Sequence, residues 1–254
     1  MVMSRLLNAG FSRLHKNYVL WLGIIFMTAV SGLKVWSLFH NAKLGYEGTL
    51  SNIFFQYTEY ILVIEAVLCS LYTGTEYSDH TIRNKLIVGH QREHIYGTDL
   101  IVVIAAGFLI CTSYMVVSLI GIPLGLSVSV QKFLVNILCT FAMVTSIACA
   151  FTMISILSGD RTVAVTINTI LSLVLWLSAY KIRNDLVMAR QAGQNNLLLE
   201  FLFVFSPGCQ AVQLAADPEM LYVTTPAARV LSCIVLCLIT TGIGMLHFKK
   251  KDIK

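Results

Sequence analysis

The chain predicts an all-α polytopic membrane protein with six transmembrane helices. Three observations carry that prediction. Of its 254 residues, 57% are hydrophobic and only 12% are charged, about half the charged share that keeps a soluble domain in solution. Six windows run nearly without charge, at about 18–39, 53–72, 100–122, 131–157, 163–180 and 226–247. Each holds roughly 18 residues or more, or about 27 Å of helix, enough to cross most of a bilayer's hydrocarbon layer. The windows are continuously apolar instead of alternating, which favours helices over barrel strands.

Taken in order, residues 1–17 place Met3, Leu6, Leu7, Phe11 and Leu14 at helical spacing, with Arg5, Asn8, Ser12, Arg13 and Lys16 on other faces. That pattern predicts an amphipathic helix lying in the inner headgroup layer. The first span is longer than a secretory h-region and is expected to be an anchor. Residues 40–52 form a short outer loop. The second span carries Glu59 and Glu65. A carboxylate near the bilayer centre costs about 2.5 kcal/mol or more, so Glu65 is expected to face the bundle or a water-filled cavity. There it is either a pathway or gating contact or the hydrogen-bond partner of Asn136 or Asn168. Glu59, nearer the outer end, is expected to reach water.

Residues 73–97 make the largest inner loop. Gly121, Pro123 and Gly125 predict a tight outer turn, not a G-x-x-x-G dimerisation face, and Ser158-Gly159-Asp160-Arg161 an inner turn. Residues 181–225 are the longest outer segment. After a polar start, the run LLLEFLFVF is too short to span and is broken by Ser206-Pro207-Gly208, which predicts a re-entrant or interfacial helix. Asp217-Pro218 and Thr225-Pro226 are helix-entry signals. Arg229 opens the sixth span and is expected to snorkel to the outer headgroups. Tyr18, Trp21, Trp36 and Tyr72 are expected as interfacial anchors. With no internal repeat or low-complexity linker, residues 1–254 read as a single transmembrane domain.

Charge sets the orientation. Arg5, Arg13, Lys16, Arg83, Lys85, Arg92, Arg161, Lys249, Lys250, Lys251 and Lys254 all flank one side, against Lys34, Lys43, Lys132, Lys181, Arg183 and Arg190 on the other. The positive-inside rule makes the first side cytoplasmic, both termini included. The net charge of +5 is thereby a topology signal and not the footprint of nucleic-acid binding. Cys69, Cys111, Cys139, Cys149, Cys233 and Cys237 fall within spans. Cys209 is expected outside without a partner. Without a C-x-x-C knuckle, neither a disulfide framework nor a structural metal is expected.

The run Thr73–Lys85, TGTEYSDHTIRNK, is wedged between two apolar segments. It is one of the few places where a water-soluble partner can take hold. Thr73-x-x-Glu76 has capping-box spacing, Ser78 or Asp79 offers a second N-cap, and Gly89 suits a stop. Together they predict a helix from about Asp79 to Val88, roughly 15 Å long. Tyr77, Ile82 and Leu86 form its apolar face, while Arg83, Asn84 and Lys85 offer donors.

Gly74, Glu76, Tyr77, Thr81, Ile82, Arg83 and Asn84, followed by Gly89 and Arg92, resemble the same stretch in the membrane (permease) subunits of type 2 ABC transporters, mostly exporters. The plan of a surface helix, six spans, inner termini and a broken outer segment is similar too. The resemblance implies that this loop is a coupling helix docked on a cytosolic ATP-binding subunit through Glu76, Tyr77, Thr81, Ile82, Arg83, Asn84 and Lys85. It also implies a second permease chain, in a homodimer or heterodimer, and a bacterial plasma membrane. His80 stands where such proteins often have glycine. The chain has no G-x-x-x-x-G-K-[ST] loop, so ATP hydrolysis is expected on a separate chain and no cofactor on this one. A mostly apolar bundle favours an amphipathic or hydrophobic cargo, peptides included.

Two further motifs compete. His90-Gln-Arg-Glu93-His94 matches the inverted zinc-hydrolase pattern H-x-x-E-H. On a short loop with no third ligand downstream, it is expected to be a solvated face. Ser129-Val-Gln-Lys132 matches S-x-x-K, at an outer boundary where Lys132 reaches headgroups. The alternative function is an ion-coupled secondary transporter or channel using Glu65. A membrane hydrolase on His90, Glu93 and His94 is the third.

Overall fold

The computed structural model describes residues 2–46, 48–125, 129–194, 196–215 and 225–251. Among them the chain is helical, with no strand. The helices are α1 Val2–His15, α2 Tyr18–Lys43, α3 Ser51–Phe54, α4 Tyr57–Ser78, α5 Thr81–Ile87 and α6 Arg92–Ser118. They continue with α7 Val130–Ser158, α8 Arg161–Gln191, α9 Leu197–Phe205, α10 Pro207–Ala215 and α11 Pro226–Lys250. Five are long and apolar enough to cross a membrane: α2, α6 with its 3-10 extension to Leu124, α7, α8 and α11. The pair α9 and α10 meets at 85° and passes the same test only when taken together, as a broken span or re-entrant loop.

Helix α4 is the centre of the bundle. It packs against α2, α6, α7, α8 and α10, and Ile61, Leu62, Glu65, Ala66, Leu68, Cys69 and Tyr72 are fully enclosed. A helix surrounded by protein needs no lipid-compatible surface, so it can carry Glu59, Glu65 and Glu76. The peripheral helices do the opposite. Leu33 and Trp36 of α2, Val174 and Leu177 of α8, and Leu231 and Leu238 of α11 stand exposed, an apolar exterior that only lipid can solvate.

Polar contacts fix the helices against α4. Asn168 of α8 is fully buried and donates to Ser70 Oγ of α4 at 2.8 Å, to Phe151 O at 3.1 Å and to Ser155 Oγ of α7 at 2.9 Å. At the α3 end, Thr58 Oγ donates to Ala211 O of α10 at 2.8 Å. Gln210 Nε2 of α10 reaches Val204 O of α9 and Ser232 Oγ of α11, at 2.7 and 2.8 Å.

Several boundaries differ from those expected. The second span starts at Tyr57, after a break at Phe55 and Gln56, and continues to Ser78. Thr73-x-x-Glu76 is therefore helix interior and not a capping box, and Asp79 is the C-cap of α4. Helix α8 runs to Gln191, eleven residues past the expected end of the fifth span. Its 31 residues cover about 46 Å, more than the hydrocarbon layer, so the polar run after Tyr180 is helix outside that layer. Cys209 is buried in α10, and Tyr72 is buried too. Arg229 is only 3% exposed and lies beside Cys139 of α7. The α7–α11 contact shuts it away from the headgroups it was expected to reach.

Other expectations hold. Thr225 Oγ caps α11 by accepting from Ala228 N, with Pro226 in the first turn. The stretch Leu119–Leu124 is a 3-10 turn, after which Gly125 sits at φ 80°. Ser158 ends α7, and Asp160 caps α8 through Val163 N. Asp217-Pro218 lies outside the described residues.

Asn168→Ala leaves Ser70, Ser155 and Phe151 O short of a donor. It is expected to lower stability in detergent by roughly 1–2 kcal/mol, read as a fall in thermal unfolding temperature with the helical signal intact below it.

Candidate functional site

One end of the bundle gathers α1, α5, the last turns of α4, α7 and α11 and the first turns of α6 and α8. The reversal from α4 into α5 is made at His80, at φ 53° the only non-glycine with positive φ among the described residues. A side chain there costs about 1–2 kcal/mol relative to glycine. Gly89, at φ 94°, ends the segment before α6. Gly74 lets α8 approach α4: a Cβ on it would lie 2.8 Å from Arg161 Cα.

Helix α5 is seven residues long and two-faced. Ile82 is buried and Leu86 half-buried. With Tyr77 they pack on Ile95, Tyr96 and Leu100 of α6, Ile156 of α7 and Phe248 of α11. The opposite face is open, as Arg83, Asn84, Ile87 and Val88 are all exposed. Arg83 and Ile87 lie one turn apart, as do Asn84 and Val88, so they form two ridges of one surface. Ile87 and Val88 are 73% and 76% exposed.

Beneath α5 lies an ion network. Glu76, in the last turn of α4, is 1% exposed. Its two oxygens accept from Lys85 Nζ of α5 at 2.7 and 2.8 Å, and Oε1 also accepts from Arg13 Nη1 of α1. Arg13 Nη2 donates to Tyr72 O at 2.6 Å, and the guanidinium lies 4.2 Å over the Tyr72 ring. Lys85 also stands 3.6 Å from Asp99 of α6, which is 1% exposed. Two carboxylates and two cations thus tie α1, α4, α5 and α6 together.

A second fastening joins α11. Arg92 Nη1 donates to Phe248 O at 2.8 Å and to Lys251 O. Lys251 Nζ donates to Ile156 O and Leu157 O at 2.8 and 2.9 Å, capping the carbonyl end of α7. Burial pushes its ammonium pKa down. Lys249 pairs with Glu93. Lys249 and Lys251 are therefore structural contacts.

The structure divides the expected contact residues. Arg83 and Asn84 lie on the open face, Thr81 is half-buried, and Tyr77 donates its hydroxyl to Ile156 O at 3.1 Å. Glu76 and Ile82 are corrected: both are buried and cannot meet a partner in this conformation. Lys85 is turned inward to Glu76. Ile87 and Val88 were missed, although the inward pair Ile82 and Leu86, four residues apart, already implies that they point away. Arg13 was missed because nothing local marks residues 59 or more positions apart as partners; Asp99, beside Lys85, was missed because nothing in the sequence shows how α5 sits against α6.

The other motifs resolve differently. Glu93 is engaged by Lys249, and no cluster of three His, Cys, Asp or Glu side chains suited to a metal exists among the described residues. In Ser129-Val-Gln-Lys132 the Ser hydroxyl accepts from Lys132 N at 3.4 Å, so the spacing is that of a helix cap. Glu65 is fully buried, bonded to Cys69 Sγ at 3.8 Å and packed on Gly107 of α6, where a Cβ would lie 2.7 Å from Oε2. Oε2 has no hydrogen-bond partner among the described residues. Asn168 is spent on α4 and α7, so it is not the partner foreseen.

Glu76→Ala strands Arg13 and Lys85 and is expected to lower stability by about 3–5 kcal/mol, measured by thermal unfolding in detergent. Replacing Arg13, Glu76, Lys85 and Asp99 together by apolar residues of similar size is expected to recover most of that loss. Searches against protein-family models, curated proteins and solved structures found no match for this chain.

Proposed function

We propose that this chain is the permease subunit of an ATP-driven exporter with type 2 ABC architecture, and that α5 is its coupling helix. One observation carries the reading. A short helix at the bundle end, fixed to α4 and α6 and anchored from below by Glu76 and Ile82, turns Ile87, Val88, Arg83 and Asn84 to the outside. An exposed apolar pair beside donors fits a protein partner, and the ion network beneath it carries force into four helices at once.

The partner in this reading is a cytosolic ATP-binding subunit. ATP closes a pair of them, the closure pushes α5, and α4 and α6 tilt to open a path outward. Six rods, with α4 as the sixth, make half of a pathway, so a second permease chain of the same or a similar kind completes it. In this reading the α5 end is cytoplasmic, which the excess of basic residues there favours. Helix α1 lies at the inner headgroup layer with Met3 and Phe11, both exposed, toward lipid. The bent pair α9 and α10 enters from the outer side. The membrane is a bacterial plasma membrane, and the cargo is amphipathic or hydrophobic, a peptide being one form.

Ile87→Asp with Val88→Asp is expected to cut ATP-dependent transport at least tenfold in the reconstituted complex, while membrane insertion and unfolding temperature hold. Transport at the parental rate in that variant defeats the coupling role. The second reading, an ion-coupled transporter or channel on Glu65, draws on its buried carboxyl with one unpartnered oxygen. Gradient-driven uptake without any ATPase, abolished in Glu65→Gln, would favour it instead.

A further inference from the structure

At the bundle end opposite α5, helices α7 and α11 begin side by side. Between their first turns lies a pocket of about 280 Å³, lined by Ser129, Gln131, Lys132, Val135, Asn136 and Pro226. Ser129 caps α7 and Thr225 caps α11, so both helices turn their positive ends to this region. Cys139 Sγ, one turn beyond Asn136 on α7, reaches Pro226 O of α11 at 3.9 Å.

Two buried side chains here lack partners. Asn136 is 5% exposed. Its carbonyl accepts from Thr140 at 2.9 Å, but its side-chain amide makes no hydrogen bond among the described residues. Arg229 lies one turn further along α11 than Pro226, beside Cys139 and Cys233. Its Nε and Nη2 have no acceptor, and no carboxylate pairs with it among the described residues.

The charges are one-sided. Lys132 and Arg229 bring two cations and the helix starts add partial ones, whereas no acidic side chain lines the pocket. A buried guanidinium without a counter-charge is costly, and a buried amide without a hydrogen bond adds to that cost. One ligand chemistry answers both, an anion with several acceptor oxygens. Depth narrows the choice. The apolar windows 131–157 and 226–247 both begin at this pocket, which sets it at the edge of the hydrocarbon layer, where lipid headgroups start.

We infer that the pocket between the starts of α7 and α11 binds a phosphate group, supplied by the headgroup of an anionic phospholipid. The Asn136 amide donates to it, Lys132 supplies charge, and Val135 and Pro226 pack on the lipid's glycerol end. Arg229 does not line the pocket. It acts from one turn below as a fixed positive charge that little water screens. The site needs only a chain set in a bilayer and is independent of the coupling role of α5.

The test offers the full-length chain in detergent equal amounts of phosphatidylglycerol and phosphatidylcholine with matched acyl chains. Phosphatidylcholine carries its own cation, so native mass spectrometry is expected to show at least fivefold more phosphatidylglycerol retained. Arg229→Gln and Asn136→Leu are each expected to remove most of that preference, with elution volume and helical signal preserved. Lys132 is exposed, so Lys132→Gln is expected to cut the preference severalfold without disturbing buried packing. Lys43→Gln removes an equal charge at the same bundle end, from the last turn of α2, and is expected to leave the preference intact. Excess sodium phosphate is expected to displace no more lipid than sodium chloride of equal ionic strength.

Equal retention of the two lipids, or a preference that survives both Lys132→Gln and Asn136→Leu, overturns the site. A loss in Lys43→Gln as large as in Lys132→Gln overturns it too, since general surface charge then explains the binding. Displacement by phosphate beyond that by chloride overturns the lipid source, the ligand then being a soluble phosphate.

Discussion

The arrangement at the α5 end depends on one buried carboxylate. Glu76 accepts from Lys85 and Arg13 in a space nearly closed to solvent. Its position in the last turn of α4, four residues beyond the expected end of that span, brings α1 and α5 onto the same group. Charges this enclosed tolerate little separation, since losing one partner leaves the other uncompensated. The network therefore favours joint movement of α1, α4, α5 and α6 over sliding of one past another. Asp99, 3.6 Å from Lys85, gives the lysine a second acceptor within reach if α5 shifts.

That constraint explains the two faces of α5. The inward face is fixed by Ile82 in an apolar cluster drawn from α6, α7 and α11 and by Lys85 in the ion network. Little of α5 remains free except Arg83, Asn84, Ile87 and Val88. A surface so small suits a push and not a large stable interface. The Arg92 and Lys251 contacts to Phe248 O, Ile156 O and Leu157 O extend the same rigid end to α7 and α11. Helices α1, α4, α5, α6, α7 and α11 are thus joined where α5 sits.

Much of the helical layout was legible in the sequence, because lipid imposes a simple rule on a helix that faces it. The spans of α2, α6, α7 and α11 follow from hydropathy, and Thr225-Pro226 and Gly125 mark local boundaries through backbone chemistry. Helix α4 is harder to read, since its surroundings are protein and its polar residues are tolerated by burial and not by exposure. The length of α8 was missed because polarity after Tyr180 says where lipid ends and not where a helix ends. At the candidate site, the location of the loop and its apolar face were readable. The inward turn of Glu76 was not, since its partner Arg13 comes from a distant stretch and a carboxylate in a polar run reads as solvated.

The central claim is that α5 meets a second polypeptide through its outward face. A photo-crosslinking amino acid placed at position 87 or at position 82 in the intact membrane tests this most directly. The account predicts a crosslink from position 87 to an ATP-binding polypeptide and none from position 82, which lies inside the bundle. Crosslinks from position 87 to lipid alone, or to no second chain, would contradict it.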